Sequence, residues 1–182
     1  MNDKLNKAAK VLAKLAEIAH WIGAVGMLVG VVLVLVMGRG AVIGDPQESG
    51  TTQGEVYGFE LSVVDEAGEP DLVALEVFMV AGALLMIPMA MTFRNVYLIL
   101  KNSENTTPFQ PDNVRMVREI GWFLMAVPVV GLIMSVVARL AVGVEAEASV
   151  SMGSFIVGLV VLCLSQVFAR GLALESDVDG LL

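Results

Sequence analysis

The sequence predicts an all-α membrane protein, a four-transmembrane-helix bundle with a small β-rich extracellular loop between helices 1 and 2. Of its 182 residues, 57% are hydrophobic and 16% are charged, and the mean hydropathy is +0.79. A soluble domain is about 45–50% apolar and about 25% charged. The apolar excess lies in four uncharged runs of 17 to 22 residues. This composition argues against both a soluble enzyme and a disordered chain.

The four uncharged runs are long enough to cross a bilayer as helices. A hydrocarbon core about 30 Å thick needs roughly 20 helical residues. In lipid the backbone polar groups must be satisfied within the segment, and a helix does this. The sequence therefore predicts a single membrane domain over residues 1–182. Its transmembrane helices lie at about 20–38, 72–94, 119–139 and 149–169.

The distribution of lysine and arginine predicts the orientation of these helices. Nine of the eleven basic residues lie before the first helix, around the connection 95–118, or in the tail 170–182. Only Arg39 and Arg139 lie on the other side of the predicted membrane. Basic residues concentrate on the cytoplasmic side of membrane proteins. We therefore expect a multi-pass protein of the inner (plasma) membrane with both termini in the cytoplasm and residues 39–71 outside.

The cytoplasmic segment 1–19 is amphipathic. Four apolar residues share one helical face and four lysines share another. Two structures fit this pattern. The segment is either a helix lying on the anionic inner leaflet or a straight extension of the first transmembrane helix. The apolar residues are Leu5, Ala8, Leu12 and Leu15, and the lysines are Lys4, Lys7, Lys10 and Lys14.

The extracellular loop 39–71 carries eight acidic residues against Arg39, a local charge of −7. Apolar residues at every second position over 57–63 predict a strand with one covered face. A turn at 65–70 and a second short strand at 41–43 are expected beside it. The acidic residues lack the spacing of a calcium loop. We therefore favour a solvated acidic surface over a sensor of cations or basic peptides.

The cytoplasmic loop 95–118 and the spans contain several prolines. The second helix should run through Leu100 and stop just after it, because Pro108 and Pro111 forbid a continuous helix. Asp112 or Asn113 is expected to N-cap the third helix. Pro88 and Pro128 lie inside the second and third spans, where they should kink the helices. Such kinks usually only shape the bundle, although they can also serve as hinges or open a small cavity.

No pattern in the chain indicates catalysis. The spans contain no deeply placed charged residue, which argues against an ion-coupled transporter. Motifs of metalloproteases, serine hydrolases and phosphate loops are missing from the sequence, and Cys163 and His20 fall at different membrane depths. We therefore expect no enzyme activity, no cofactor and no metal site. The net charge of −8 argues against direct nucleic-acid binding.

Small residues on the first helix predict close helix packing. Gly26 and Gly30 form a GxxxG motif, and Gly23 lies close to the same face. Such glycines let two helices approach each other closely. The partner is either another helix of the same chain or, in a homo-oligomer, a helix of a second copy.

Two stretches resemble motifs of a bacterial four-span membrane family known as domain of unknown function 2975. The segment 107–122, TPFQPDNVRMVREIGW, has the Pro-Phe, Asn and basic residues that precede the third helix in that family. The segment 164–181, LSQVFARGLALESDVDGL, has its Phe-x-x-Gly-x-x-Leu signature followed by acidic residues. The end departs from the common Asp-Leu-Thr-Ile form, because this chain has Asp179-Gly-Leu-Leu.

The resemblance implies no established activity, but members of the family are often described beside small helix-turn-helix regulators. It therefore suggests a membrane anchor or sensor that binds such a regulator in the cytoplasm. The motif residues would then form a cytoplasmic interaction patch, or Phe109 and Phe168 would simply plug the end of the bundle. The other function considered is a small transporter, channel or lipid-binding subunit of a membrane complex. The patch residues are Pro108, Phe109, Asn113, Arg115, Phe168, Gly171 and Leu174.

Overall fold

The structure is a computed structural model that describes residues 3–41, 53–65, 67–103, 110–143, 147–148 and 152–179. Within these residues there are four long helices and three short strands. The helices are α1 (Asp3–Met37), α2 (Leu72–Asn102), α3 (Pro111–Val142) and α4 (Met152–Asp179), and a short 3-10 turn, Gly38–Ala41, follows α1. The strands are β1 (Gln53–Val56), β2 (Phe59–Ser62) and β3 (Glu147–Ala148).

All four helices are long and apolar enough to cross a membrane. This confirms the predicted fold class, an all-α membrane protein with a small sheet between the first two helices. The helical segments that contain these membrane-spanning stretches are Lys4–Met37, Leu72–Asn102, Pro111–Ala141 and Gly153–Leu174.

Helix α1 begins near the start of the chain and continues without interruption through the first predicted span. Its 35 residues correspond to about 52 Å at 1.5 Å per residue, against a bilayer core of about 30 Å. Residues 4–19 contain neither glycine nor proline and are rich in alanine, leucine and lysine, which favour a helix. Residues 4–19 therefore continue the first span as one helix and do not form a separate helix lying on the leaflet.

The chain divides into two compact units. The first, which we call the basic unit, contains Met1–His20, Pro88–Ala126 and Gly153–Leu182. The second, which we call the sheet unit, contains Trp21–Ile87 and Val127–Met152. Nine of the eleven basic residues of the chain belong to the basic unit, and all three strands belong to the sheet unit.

In the sheet unit, β1 and β2 form an antiparallel hairpin, and β3 pairs with the other edge of β2. Tyr57 and Gly58 make the two-residue turn, both with positive φ, +52° and +81°. Such a turn matches the twist of a hairpin. The predicted strand over 57–63 is therefore confirmed only over Phe59–Ser62, where Phe59 and Leu61 are buried as the alternation requires, and it is wrong at 57, 58 and 63. Burial also raises the pKa of the Tyr57 phenol.

The second predicted strand, at 41–43, is wrong at Ala41, which closes the 3-10 turn, and positions 42 and 43 lie outside the described residues. The predicted turn at 65–70 is confirmed. Asp65 Oδ1 accepts hydrogen bonds from the backbone N–H groups of Ala67 and Glu69, each 2.9 Å long. Asp71 then caps α2, because its Oδ1 accepts from two N–H groups of the first helical turn.

Helices α1 and α2 interlock in the sheet unit through glycine and methionine. A methyl group at Gly23 would lie 2.6 Å from Met86 Sδ, and one at Gly30 would lie 2.7 Å from Met79 Sδ. Met27 of α1 fills the equivalent space at Gly82 of α2. The residue numbers rise on one helix as they fall on the other, so the helices are antiparallel. Gly23, Gly30 and Gly82 therefore each leave space for the thioether of a methionine on the neighbouring helix.

The third glycine of the predicted packing face is different. Gly26 is exposed, and a methyl group there would have no neighbouring atom within 4 Å. Gly23 and Gly30 therefore lie against α2, whereas Gly26 does not.

In the basic unit, α3 and α4 approach each other backbone to backbone. A methyl group at Gly121 would lie 3.1 Å from the Gly158 carbonyl oxygen, and one at Gly158 would lie 3.0 Å from the Gly121 carbonyl oxygen. Leu162 lies against Gly121, and Met125 lies against Gly158, which makes this pair antiparallel as well.

The predicted end of the second helix is confirmed, since α2 ends at Asn102.

The start of α3 differs from the prediction. Pro111 is its first residue, and the Val114 N–H donates to the Gln110 carbonyl oxygen. The prediction that Asp112 or Asn113 caps the helix is therefore wrong. The physical reason is that proline suits the first helical position, where its fixed φ fits and its missing N–H costs nothing. Pro88 and Pro128 lie inside α2 and α3 as expected.

Candidate functional site

The predicted interaction patch is only partly assembled from the described residues. Arg115 lies on the first turns of α3 with its side chain 67% exposed. Leu174 lies near the end of α4 and is 66% exposed, and Phe168 and Gly171 are half-buried. Pro108 and Phe109 lie outside the described residues.

Helix geometry places the patch residues of α3 and α4 at the same end of this helix pair. Arg115 precedes Gly121 by six residues, and Phe168 follows Gly158 by ten. Because the helices are antiparallel, both residues lie on the same side of the Gly121–Gly158 contact. The axial distances from that contact are about 9 Å for Arg115 and about 15 Å for Phe168.

Asn113 does not belong on this surface. Its residue is 0% exposed, its Nδ2 donates to Ser103 Oγ, and its Oδ1 accepts from Asn102 Nδ2, both at 3.3 Å. The side chain therefore joins the first turn of α3 to the end of α2. A fully buried side chain cannot contact a partner, so the prediction that places Asn113 in the patch is wrong. Asn113 instead makes a structural contact between α2 and α3.

A polar connection leads from the exposed Arg115 to the buried Asn95. Its Nε lies 3.4 Å from Glu119 Oε1, and Glu119 Oε2 accepts a hydrogen bond from Asn95 Nδ2 at 3.0 Å. Asn95 is buried on α2. The sequence does not single out Asn95 and Glu119, because both lie just outside the apolar runs, where polar residues are usual. The available signal was the seven-residue spacing of Asn95 and Asn102, which places them on one face of α2.

A second feature of the basic unit is a groove of about 550 Å³ between α1 and α2, which we call the basic groove. Spacings of three and four residues bring its α1 side chains to one face, and the two from α2 are four residues apart. The lining residues are Lys7, Lys10, Val11 and Lys14 of α1 with Tyr97 and Lys101 of α2.

Lys14, which lines the basic groove, contacts side chains of both helices. Its Nζ lies 5.3 Å from the centroid of the Tyr97 ring, a distance at which a cation is attracted to the ring face. The same Nζ donates to Glu17 Oε2 at 2.9 Å, and Glu17 is a buried residue. Four lysines therefore gather in this groove, and one of them, Lys14, pairs with Glu17.

Lys14 and Tyr97 thus connect the two helices one to two turns outside their apolar runs. The His20 and Phe93 rings mark the level where both runs begin, with centroids 5.1 Å apart. His20 Nδ1 donates to the Ala16 carbonyl oxygen at 2.7 Å. Among the described residues, no three of His, Cys, Asp or Glu lie close enough together to hold a metal ion.

Four apolar helices of membrane-spanning length, with nine of the eleven basic residues in the basic unit, define a multi-pass membrane protein. The chain belongs to the family described as "Protein of unknown function (DUF2975)", whose model matches residues 6–180. This confirms the resemblance inferred from the two sequence motifs. The comparison with curated proteins and the comparison with solved structures each returned no match to this chain.

Proposed function

We propose that this protein is a non-enzymatic membrane anchor or sensor that binds a small cytoplasmic helix-turn-helix regulator. In this proposal it lies in the inner membrane with both termini in the cytoplasm, as the distribution of basic residues suggests. The observation that carries the proposal is the exposure of Arg115 and Leu174 at the same end of α3 and α4.

The chemistry of these two side chains suits a protein partner. Arg115 contacts Glu119 through Nε, and its exposed guanidinium presents further N–H donors in a fixed planar arrangement. Leu174 follows the apolar run of α4 by five residues, about 8 Å beyond it, so it lies where lipid chains no longer cover it. Arginine and exposed apolar residues are typical of the energetically important centre of an interface.

The test is a pull-down of the tagged full chain from its native cells in mild detergent, analysed by mass spectrometry. We expect a small helix-turn-helix protein at close to one copy per chain. Arg115→Ala and Phe109→Ala should each reduce its recovery. Arg139→Ala is the matched control, because Arg139 is also exposed on α3 but lies near the opposite end of the helix.

Recovery of the protein alone, or with other membrane proteins only, would overturn the regulator proposal. The alternative function, a small transporter, channel or lipid-binding subunit, would then take its place. It predicts flux of solutes in liposomes containing the purified protein.

A further inference from the structure

Helix α4 packs through one narrow face. Gly158 contacts α3, and Ser165, which follows it by seven residues or two helical turns, is fully buried on the same face. Only 11% of the residues in the membrane-spanning stretch of α4 are buried, against 33% in that of α3. Most of the surface of α4 is therefore exposed among the described residues.

The exposed side of α4 has the residue spacing of a coiled-coil seam, and we call it the α4 seam. Its apolar residues recur at alternating spacings of three and four, so they form one stripe on the side of the helix opposite Gly158 and Ser165. All of them are exposed except Gly171, which is half-buried. The α4 seam consists of Val157, Val160, Leu164, Val167, Gly171 and Leu174.

Lipid chains do not reach the C-terminal end of the α4 seam. Gly121 of α3 lies one residue inside the uncharged run that begins at Ile120, and Leu162 of α4 lies against it. Counted from Leu162, Val167 and Leu174 lie five and twelve residues further, about 8 Å and about 18 Å along the helix axis. The headgroup layer of a bilayer is about 5–8 Å thick. Leu174 therefore lies beyond the lipid, where only protein could cover this end of the seam.

The charges beside the seam favour a second copy of this chain as that protein. Two copies inserted into a membrane in the same direction present their α4 helices in parallel. In a parallel coiled coil, opposite charges that flank the seam pair between the two helices, with a spacing of five residues. Arg170 is exposed just before Gly171, and Glu175 comes just after Leu174, five residues from Arg170. Each Arg170 would therefore lie opposite Glu175 of the other copy.

We propose that the α4 seam packs in parallel against the same seam of a second copy, which makes the protein a homodimer. Leu164 and Val167 lie at the centre of this contact, and two Arg170–Glu175 ion pairs lie at its edges. The proposal does not depend on the regulator, because it concerns a contact between copies of this chain alone. Since the seam ends at Leu174, a regulator that contacts Leu174 would bind beside the twofold axis of the dimer.

Disulfide cross-linking in native membranes tests the position of the contact. Single cysteines are introduced into the full chain in a Cys163→Ser background, by Val167→Cys in the seam and by Gln166→Cys beside it. Gln166 is the matched control, because it is the neighbouring residue and is also exposed, but does not belong to the seam. Under mild oxidation, we expect Val167→Cys to form a covalent dimer and Gln166→Cys to remain mostly monomeric. Equal cross-linking of the two variants, or no cross-linking of Val167→Cys, would overturn the proposal.

The ion pairs are tested on the purified full chain in mild detergent, where light scattering gives the dissociation constant of the dimer. Arg170→Glu should weaken the dimer about tenfold, because two attractions between copies become repulsions. The double variant, Arg170→Glu with Glu175→Arg, should restore the dimer, since each pair forms again with its charges exchanged. An unsubstituted chain that is monomeric, or a double variant as weak as the single one, would overturn the proposal. No regulator is present in this sample, so the result is independent of the function proposed above.

Discussion

Polar side chains at the helix ends connect the helices of the basic unit outside their apolar runs. Asn113 joins α3 to Asn102 and Ser103 of α2, and Glu119 joins Arg115 to Asn95. Every buried side-chain nitrogen or oxygen among the described residues has a hydrogen-bond partner. Because a buried polar group without a partner is costly, the buried Asn95 and Asn113 depend on the residues that they contact.

Asn113→Ala should therefore destabilise the protein. The change removes the hydrogen bonds to Ser103 and Asn102 and leaves their side chains without this partner. A loss of about 1–3 kcal/mol is typical when a buried partner is left unsatisfied. Thermal unfolding in detergent, followed by circular dichroism, should show a lower midpoint. Asp112→Ala, at the exposed neighbouring position, should leave the midpoint nearly unchanged. Equal midpoints for the two variants would contradict the structural role of Asn113.

At the scale of elements, two antiparallel helix pairs are packed through glycine in different ways. In α1 and α2, Gly23, Gly30 and Gly82 each receive a methionine side chain that can adjust its shape. In α3 and α4, the Gly121 and Gly158 backbones lie against each other, and a backbone carbonyl cannot adjust in the same way. The second pair should therefore tolerate an added methyl group less well than the first.

Gly158→Ala tests this difference. Its new methyl group would lie 2.7 Å from Met125 Cγ and 3.0 Å from the Gly121 carbonyl oxygen, so α4 must shift away from α3. We expect a loss of about 1–3 kcal/mol in stability, as is usual for overpacking. Gly131→Ala is the control, because a methyl group there has no neighbour within 4 Å. This control should unfold at the same or a higher temperature, since alanine favours a helix more than glycine.

The sequence predicts the helices much better than it predicts which strands pair in the sheet. Uncharged runs of 17 residues or more leave no choice but membrane-spanning helices, and the structure has all four. The partners of β2 could not be found in the same way. One is Gln53–Val56, which lacks an alternating pattern, and the other, Glu147–Ala148, comes from a distant loop.

The sequence also could not predict which side chains near the ends of the helices are buried. Asn113 and Arg115 are two residues apart in one polar segment, yet the first is fully buried and the second is mostly exposed. Their difference depends on where the end of α2 packs, which no local pattern contains. For the same reason, the GxxxG motif could not show that Gly26 is open while Gly30 contacts Met79.

At the scale of the whole molecule, charge is distributed unevenly between the two units. The basic unit holds nine of the eleven lysines and arginines. By contrast, the acidic loop between α1 and α2 belongs to the sheet unit and has a local charge of −7 over 39–71. Positive charge is retained in the cytoplasm during insertion, and this bias sets the overall orientation. The distribution therefore supports the proposed orientation of the chain.

Cysteine labelling in intact cells tests that orientation. In a Cys163→Ser background, single cysteines are introduced by Lys7→Cys in the basic unit and by Glu55→Cys in the sheet unit, both at exposed positions. A membrane-impermeant maleimide applied from outside should label Glu55→Cys and not Lys7→Cys. Lysed cells should show labelling of both variants. Labelling of Lys7→Cys alone in intact cells would reverse the orientation and remove the cytoplasmic regulator from consideration.

The glycine–methionine interlock of α1 and α2 has a consequence for how the sequence can change over evolution. Gly23 and Met86 occupy one shared volume, so a larger residue at either position requires a smaller residue at the other. In descendants of a common ancestor the two positions should therefore be inherited as a pair. Gly30 and Met79 should behave in the same way, whereas Gly26 should drift independently of both pairs.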